Sequence, residues 1–257
     1  MYYNNVGIHI YAIIAIIGLV VGKIVAWSNV RLPENKKIFS KDFFEENKKG
    51  LENNYIIMLI TAVLYIAVLY KFGLQDNFFK NLDLIKFLIL IPMLECAFFI
   101  DLKHRIIPNR LTLTIFETGL IVMFVYGLNN INVFKNMLLG MCTGAGIFLG
   151  ITLLGGILSG KEAMGLGDVK YMGAVGIFFG PTSVLEITLL SFILVAISLI
   201  VIIPLRKYIY KTKDEYIPFG PFLVISTIAC VFLKTNIIFT YFIAFCKGIS
   251  NRILGIK

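Results

Sequence analysis

TSVLEITLLSFILVAISLIVIIP, residues 182–204, carries a single charged side chain, Glu186, in an otherwise apolar run. About 20 helical residues cross the hydrocarbon layer of a bilayer, so a run this long and this apolar reads as a transmembrane helix. In lipid the backbone must satisfy its own hydrogen bonds, and a helix does so within one segment. Runs of the same kind occur at 7–27, 55–72, 84–100, 111–128, 137–158, 170–180 and 220–245. The expected fold class is all-α, a polytopic integral membrane protein of about eight transmembrane helices in a single membrane domain, 1–257. The sixth run is short and glycine-rich and ends at Gly180-Pro181, which predicts a tight turn into the seventh. The eighth is expected to break near Lys234, with a short interfacial helix behind it.

Composition agrees. Of 257 residues 58% are hydrophobic and 15% charged, with a mean hydropathy of +0.87; soluble domains carry close to a quarter charged residues. The net charge of +9 is spread over short loops between apolar runs, which points to lipid and topology rather than to nucleic acid. With the N-terminus outside, the inner loops 28–54, 101–110, 159–170 and 205–219 hold 15 Lys and Arg, against 4 in the outer loops before the C-terminal region, whose Lys234, Lys247, Arg252 and Lys257 are left out of the comparison. The positive-inside rule selects that orientation. Segment 28–54 is the longest polar one and reads as a cytoplasmic loop or a short amphipathic helix. The N-terminus MYYNNVGIHI lacks the basic region of a cleavable signal, so the first run is expected to be retained. Cys96, Cys142, Cys230 and Cys246 lie in apolar runs without a CxxC pair and read as small buried hydrophobes, not as a disulfide framework or a metal site.

Ionisable groups at membrane depth are costly, and each needs a reason. The acids in or beside the runs are Glu95, Asp101, Glu117, Asp168 and Glu186. Asp101 opens DLKHRIIPN (101–109) at the end of the third run; Asp168 closes GLGD (165–168) just before the sixth. Two runs separate them, so both face the same side of the membrane whichever way the chain inserts. By loop charge that side is the cytoplasm. Two carboxylates held close cannot both ionise easily, so one keeps a proton while the other acts as base. An aspartyl protease needs that pair: one acid activates water and the other polarises the scissile carbonyl. Gly165 and Gly167 are expected to allow backbone angles closed to other residues and to let a substrate strand come near Asp168. Pro108 biases Ile107 towards extended geometry, and Asn109 and Thr112 are placed to cap the next helix.

GLGD resembles the GxGD signature of the intramembrane aspartyl proteases, and Asp101 followed by Ile107-Pro108-Asn109 looks like the first aspartate motif of the bacterial type IV prepilin peptidases. Gly18-Leu-Val-Val-Gly22 with Asn29-Val30-Arg31-Leu32-Pro33 resembles that family's first helix and its exit, and Pro218-Phe219-Gly220-Pro221-Phe222 resembles its turn before the last helix. The four motifs come in order over nearly the whole chain, which makes 84–257 the peptidase core. The resemblance implies a multi-pass protein of the inner (cytoplasmic) membrane whose active site faces the cytoplasm. Its implied activity is cleavage of prepilin or pseudopilin substrates after a basic leader and before a hydrophobic helix. Asp101 and Asp168 would be catalytic, and Gly165, Gly167, Pro108, Asn109 and Lys170 would shape the site or bind substrate. Cleavage needs no metal or organic cofactor; S-adenosylmethionine enters only if N-methylation of the product is retained. The common bacterial form carries two CxxC pairs in the first cytoplasmic loop, thought to bind zinc. Segment 28–54 has no cysteine, so no metal is expected here.

Blander roles stand beside these. Asp101 could be a headgroup-level residue paired with Lys103 or Arg105, Asp168 an N-cap, and Lys170 a solvated lysine. Glu95 and Glu117 could support the acid pair or line a polar cavity, or simply bond to a neighbouring helix. Glu186 reads as structural near the outer surface, while His104 reads as a solvated loop residue and His9 is too far away to act. Gly140, Gly144, Gly146 and Gly150 have small-xxx-small spacing, which lets helices approach closely, and Gly173 and Gly176 are expected to serve the sixth run in the same way. A proton- or cation-coupled transporter using the intramembrane carboxylates is the alternative from another class.

Overall fold

A computed structural model describes residues 2–3, 6–34, 55–75, 78–159, 164–205 and 218–233. Its helices are α1 (Ile8–Arg31), α2 (Tyr55–Phe72), α3 (Phe78–His104), α4 (Asn109–Asn129), α5 (Ile131–Ser159), α6 (Leu166–Phe179), α7 (Pro181–Leu205) and α8 (Gly220–Phe232). A two-residue antiparallel pairing, Tyr2–Tyr3 with Val6–Gly7, precedes them. Among the described residues five helices, α1, α2, α4, α5 and α7, are long and apolar enough to cross a membrane. The chain is an all-α polytopic membrane protein. Residues 35–54, the bulk of the expected cytoplasmic loop, and 234–257, where the break near Lys234 was expected, lie outside the described residues.

Helices overrun the apolar runs because polar residues at a membrane edge continue a helix as readily as apolar ones do. The third run, expected over 84–100, extends to Phe78–His104, and the fifth, expected from 137, begins at Ile131. Their ends have local causes. Chain reversal after α2 uses Gly73 at φ 62, and the turn between α6 and α7 uses Gly180 at φ 79 with Pro181 opening α7, as the Gly-Pro pair predicts. α3 stops at Arg105, which takes φ 57 without being a glycine and donates its backbone N–H to the Asp101 carbonyl at 2.9 Å. Such a conformation is uncommon for a long side chain and persists only where its surroundings hold it.

Pro92 lies inside α3 and has no N–H to offer the carbonyl of Leu88. The Tyr65 hydroxyl of α2 supplies the missing donor, bonding Leu88 O at 2.7 Å. The carbonyl that Pro92 leaves without its helical donor is thereby satisfied by a neighbouring helix.

Packing follows the small residues. α1 crosses α2 at Gly18 and Gly22, where an added Cβ would run into the Cα atoms of Ala62 and Met58. α5 meets α6 backbone to backbone: Gly140 faces the Gly176 carbonyl and Gly144 the Met172 carbonyl. Gly173 abuts Ala145. Gly146 and Gly150, expected to share this role, have open space where a Cβ would be, because they point away from the helix that their neighbours contact. α6 also packs on α4, where Gly119 lies against Ile177 and Phe178. Held on both sides, α6 is buried at every residue from Tyr171 to Phe178. A 14-residue helix enclosed in this way is a rigid platform for whatever its first turn carries. α8 packs against α3 and α7.

Candidate active site

α3 delivers Asp101 at its last turn and α6 delivers Asp168 in its first. Both carboxylates line one cavity of about 330 Å³, walled by Arg105, Ile107 and Asn109 from the α3–α4 connection, by the 165–168 turn, and by Pro218-Phe219-Gly220 at the entry to α8. Thus two acids 67 positions apart in sequence share one space.

Each acid is held by a backbone amide. The Gly220 N–H donates to Asp101, which is only 5% exposed. Gly220 sits so close that a Cβ there would collide with the Asp101 carboxylate. Phe219 fixes that approach, its ring lying 6.2 Å from Phe148 of α5 and 5.4 Å from Phe192 of α7. The Gly165 N–H donates to Asp168. Gly165 is the N-cap residue of α6 and Asp168 its third helical position, so this is the reach-back half of a capping box. Asp168 is therefore not the N-cap residue itself; it caps from inside the helix.

Both acids lie just beyond the apolar stretches 84–100 and 170–180. Burial pushes the Asp101 carboxyl up to about 6, with the Gly220 amide pulling the other way. Burial, and then the neighbouring charge of Asp101, push Asp168 up to about 7 against the pull of the Gly165 amide. Near neutral pH such a pair holds one proton and one negative charge, which belong to the two groups together.

The other expected residues separate into those that line the cavity and those that do not. Gly165 and Gly167 line it, but neither uses glycine's special backbone freedom: Gly165 has φ −69 and ψ 141, and Gly167 lies within α6. What they contribute is the absence of a side chain, leaving the space beside Asp168 open. Asn109 and Lys170 line the cavity and bond to each other, Lys170 Nζ donating to Asn109 Oδ1 at 2.9 Å. That bond replaces the capping role expected of Asn109. Thr112 does not cap either, because its hydroxyl donates back to the carbonyls of Pro108 and Asn109. Pro108 is buried at the N-cap position of α4 and does not line the cavity; it sets where Asn109 begins its helix.

Glu95 and Glu117 are not part of this site. Glu95 is buried against the Thr61 hydroxyl at 2.5 Å, and Glu117 is exposed on α4. Glu186 is buried on α7, at 2% exposure. His9 and His104 are exposed, and His104 does not line the cavity. Cys96 and Cys230 are buried as expected, whereas Cys142 is exposed. Among the described residues, no three His, Cys, Asp or Glu side chains gather closely enough to hold a metal ion. Arg105, expected only as a possible ion-pair partner of Asp101, and Gly220, expected only as part of a turn, both line the cavity. The PFGP segment was the available signal for Gly220, but only folding shows that its amide meets Asp101.

Comparison with known proteins adds an independent line. Residues 88–200 match the model of the type IV leader peptidase family. The chain is 32% identical over 185 residues to a prepilin leader peptidase/N-methyltransferase of Legionella pneumophila, covering 71% of this chain and 59% of that protein. It is 31% identical over 175 residues to the protein of the same name from Xanthomonas campestris pv. campestris, covering 66% and 55%. A type 4 prepilin-like proteins leader peptide-processing enzyme of Escherichia coli O78:H11 is 29% identical over 147 residues, covering 57% and 51%. The chain thus spans between half and three-fifths of the length of these relatives. No solved structure matches it.

Proposed function

We propose, from its similarity to the type IV leader peptidase family over residues 88–200 and to prepilin leader peptidase/N-methyltransferases, that this chain is an aspartyl endopeptidase that removes the basic leader of type IV prepilin-like proteins. The observation that carries this reading is the shared cavity, in which Asp101 and Asp168 arrive from different helices, each bonded by one backbone amide. The positive-inside count supports a cytoplasmic face for that cavity and hence an inner-membrane location.

The chemistry follows from one proton shared by two acids. The ionised carboxylate takes a proton from a water held between them, and the protonated partner hydrogen-bonds the scissile carbonyl. Hydroxide adds to the carbonyl carbon, the C–N bond breaks, and a proton from the pair passes to the departing amine. Water supplies every atom added, so neither a metal nor an organic cofactor is required. Gly165 and Gly167 leave room for an extended substrate strand beside Asp168, and the bonded pair Lys170 and Asn109 also lines the cavity.

The ion-transport alternative gains no support, since Glu95 and Glu117 stand apart from the two aspartates. Methyl transfer to the new N-terminus, the second activity in the relatives' names, would draw on S-adenosylmethionine as donor. Mass spectrometry of a prepilin-like precursor incubated with the protein reads both reactions. The expected product starts at the residue after the leader, and a methyl group appears as added mass. Unprocessed precursor with the wild-type protein, or equal processing by Asp168→Asn, would overturn the peptidase reading.

A further inference from the structure

Next to the polar cavity lies a second space of about 680 Å³, with nearly opposite chemistry. Asn109 and Lys170 line both, so the hydrogen bond between them stands at the junction. Beyond that junction the walls are apolar. α4 contributes Leu113 and Phe116, α5 contributes Cys142 and Ala145, and α6 contributes Gly173. The α4 residues fall at the spacing of one helix face. Leu113 is 55% exposed and Cys142 is exposed, so the groove opens sideways from the bundle.

We propose that this groove docks the apolar segment of the substrate adjoining the scissile bond, seated as a helix; the inference rests on the peptidase reading above. Three observations favour that occupant. The groove adjoins the cavity holding the two acids, the two sharing Asn109 and Lys170, so it lies next to a peptide bond held at Asp101 and Asp168. The bulky Leu113 and Phe116 of α4 line it together with the small Cys142 and Ala145 of α5 and Gly173 and Ala174 of α6, and small residues let an apolar helix lie close. The polarity also changes abruptly at Lys170. That divides the bound chain into an extended portion over the acids, where a peptide bond is open to attack, and an apolar portion shielded from water.

Cys142 provides the test, since it is the exposed one of the three cysteines among the described residues. The full chain carrying Cys96→Ala, Cys230→Ala and Cys246→Ser, in lipid nanodiscs, is paired with prepilin-like precursors bearing one cysteine at successive positions on either side of the cut. Disulfide crosslinks to Cys142 are expected from the apolar side alone, recurring every three to four residues as a helix face does. A second measurement, on the otherwise native chain, is the kinetics of Cys142→Trp. Filling the groove removes binding that ground and transition states share, so KM should rise about tenfold with kcat retained. Crosslinks from the leader side, no crosslinks, or unchanged KM while Asp168-dependent cleavage persists would overturn the groove assignment and leave the peptidase reading standing. So would labelling of Cys142 by a lipid-borne maleimide that excess precursor does not reduce, because the groove would then hold lipid. A precursor that wild-type protein leaves uncut sinks the peptidase reading, and this inference with it.

Discussion

Glu95 and Asp101 sit on the same helix, six residues apart, and are almost equally buried, at 2% and 5% exposure. Their surroundings differ in every other respect. Glu95 has one oxygen bonded to the Thr61 hydroxyl of α2 and the other without a hydrogen-bond partner among the described residues. It does not line the cavity that holds the two aspartates. Asp101 meets a backbone amide, a second carboxylate and an open space. Burial by itself therefore does not distinguish a reactive acid from one that ties two helices together. The partner acid and the room beside it do.

That contrast can be broken most sharply by neutralising each acid in turn. Asp101→Asn removes one half of the proton-sharing pair and should lower the rate of precursor cleavage by about 10²–10⁴-fold, the usual worth of a positioned acid or base. Timed gel assays of precursor processing measure it. If Glu95→Gln proved as damaging as Asp101→Asn, the distinction drawn here would be lost.

Next in size is Gly220→Ala. The new methyl group would displace the Asp101 carboxylate or push α8 away from it, and a shift of about 1 Å at a reacting group costs on the order of 10²-fold. The protein should still melt cooperatively in detergent, since the change lies at a helix start rather than within the α5–α6 contact.

pH sharpens the comparison further. With Asp101 raised to about 6 and Asp168 to about 7, the singly protonated pair is most populated between those values. The pH profile of kcat/KM should peak there and fall about tenfold per unit on either side. Stability follows the same groups. Both folded values exceed the ordinary carboxylate value, so the native state holds more protons than the unfolded state between about pH 4 and 7. The favourable contribution is complete at low pH and is lost as pH rises through that window. Asp168→Asn should accordingly raise the melting temperature at pH 8 by about 2–4 °C, the shift that roughly 1 kcal/mol produces in a protein of this size, and leave it unchanged at pH 4.

The smallest effect is expected at Glu95. Glu95→Gln preserves shape and the bond to Thr61, and cleavage should stay within about threefold of wild type, a change worth under 1 kcal/mol. Parallel kinetics on the two α3 variants, in one detergent and at one pH, make the comparison direct.

Much of this molecule was legible before folding. The apolar runs located the helices because the cost of an unsatisfied backbone in lipid is a local property of about 20 residues. Gly180-Pro181 marked its turn for an equally local reason. Counting runs placed Asp101 and Asp168 on one side of the membrane. Misreadings arose where a role depends on which neighbour a side chain meets. Gly140 and Gly146 look alike in sequence, yet one presses against the Gly176 carbonyl and the other faces open space. Asn109 looks like a cap and instead holds Lys170.

The amino-acid order alone determined that this chain is helical, crosses a membrane repeatedly and presents two aspartates towards the same compartment. Hydropathy and crossing parity require no knowledge of what packs on what. Only the tertiary structure decided that those aspartates share a cavity, that Gly220 reaches one of them, and that Glu95 stands apart. Each of these is a contact between distant segments, set by how small residues on one helix admit the backbone of another, and no stretch of sequence contains it.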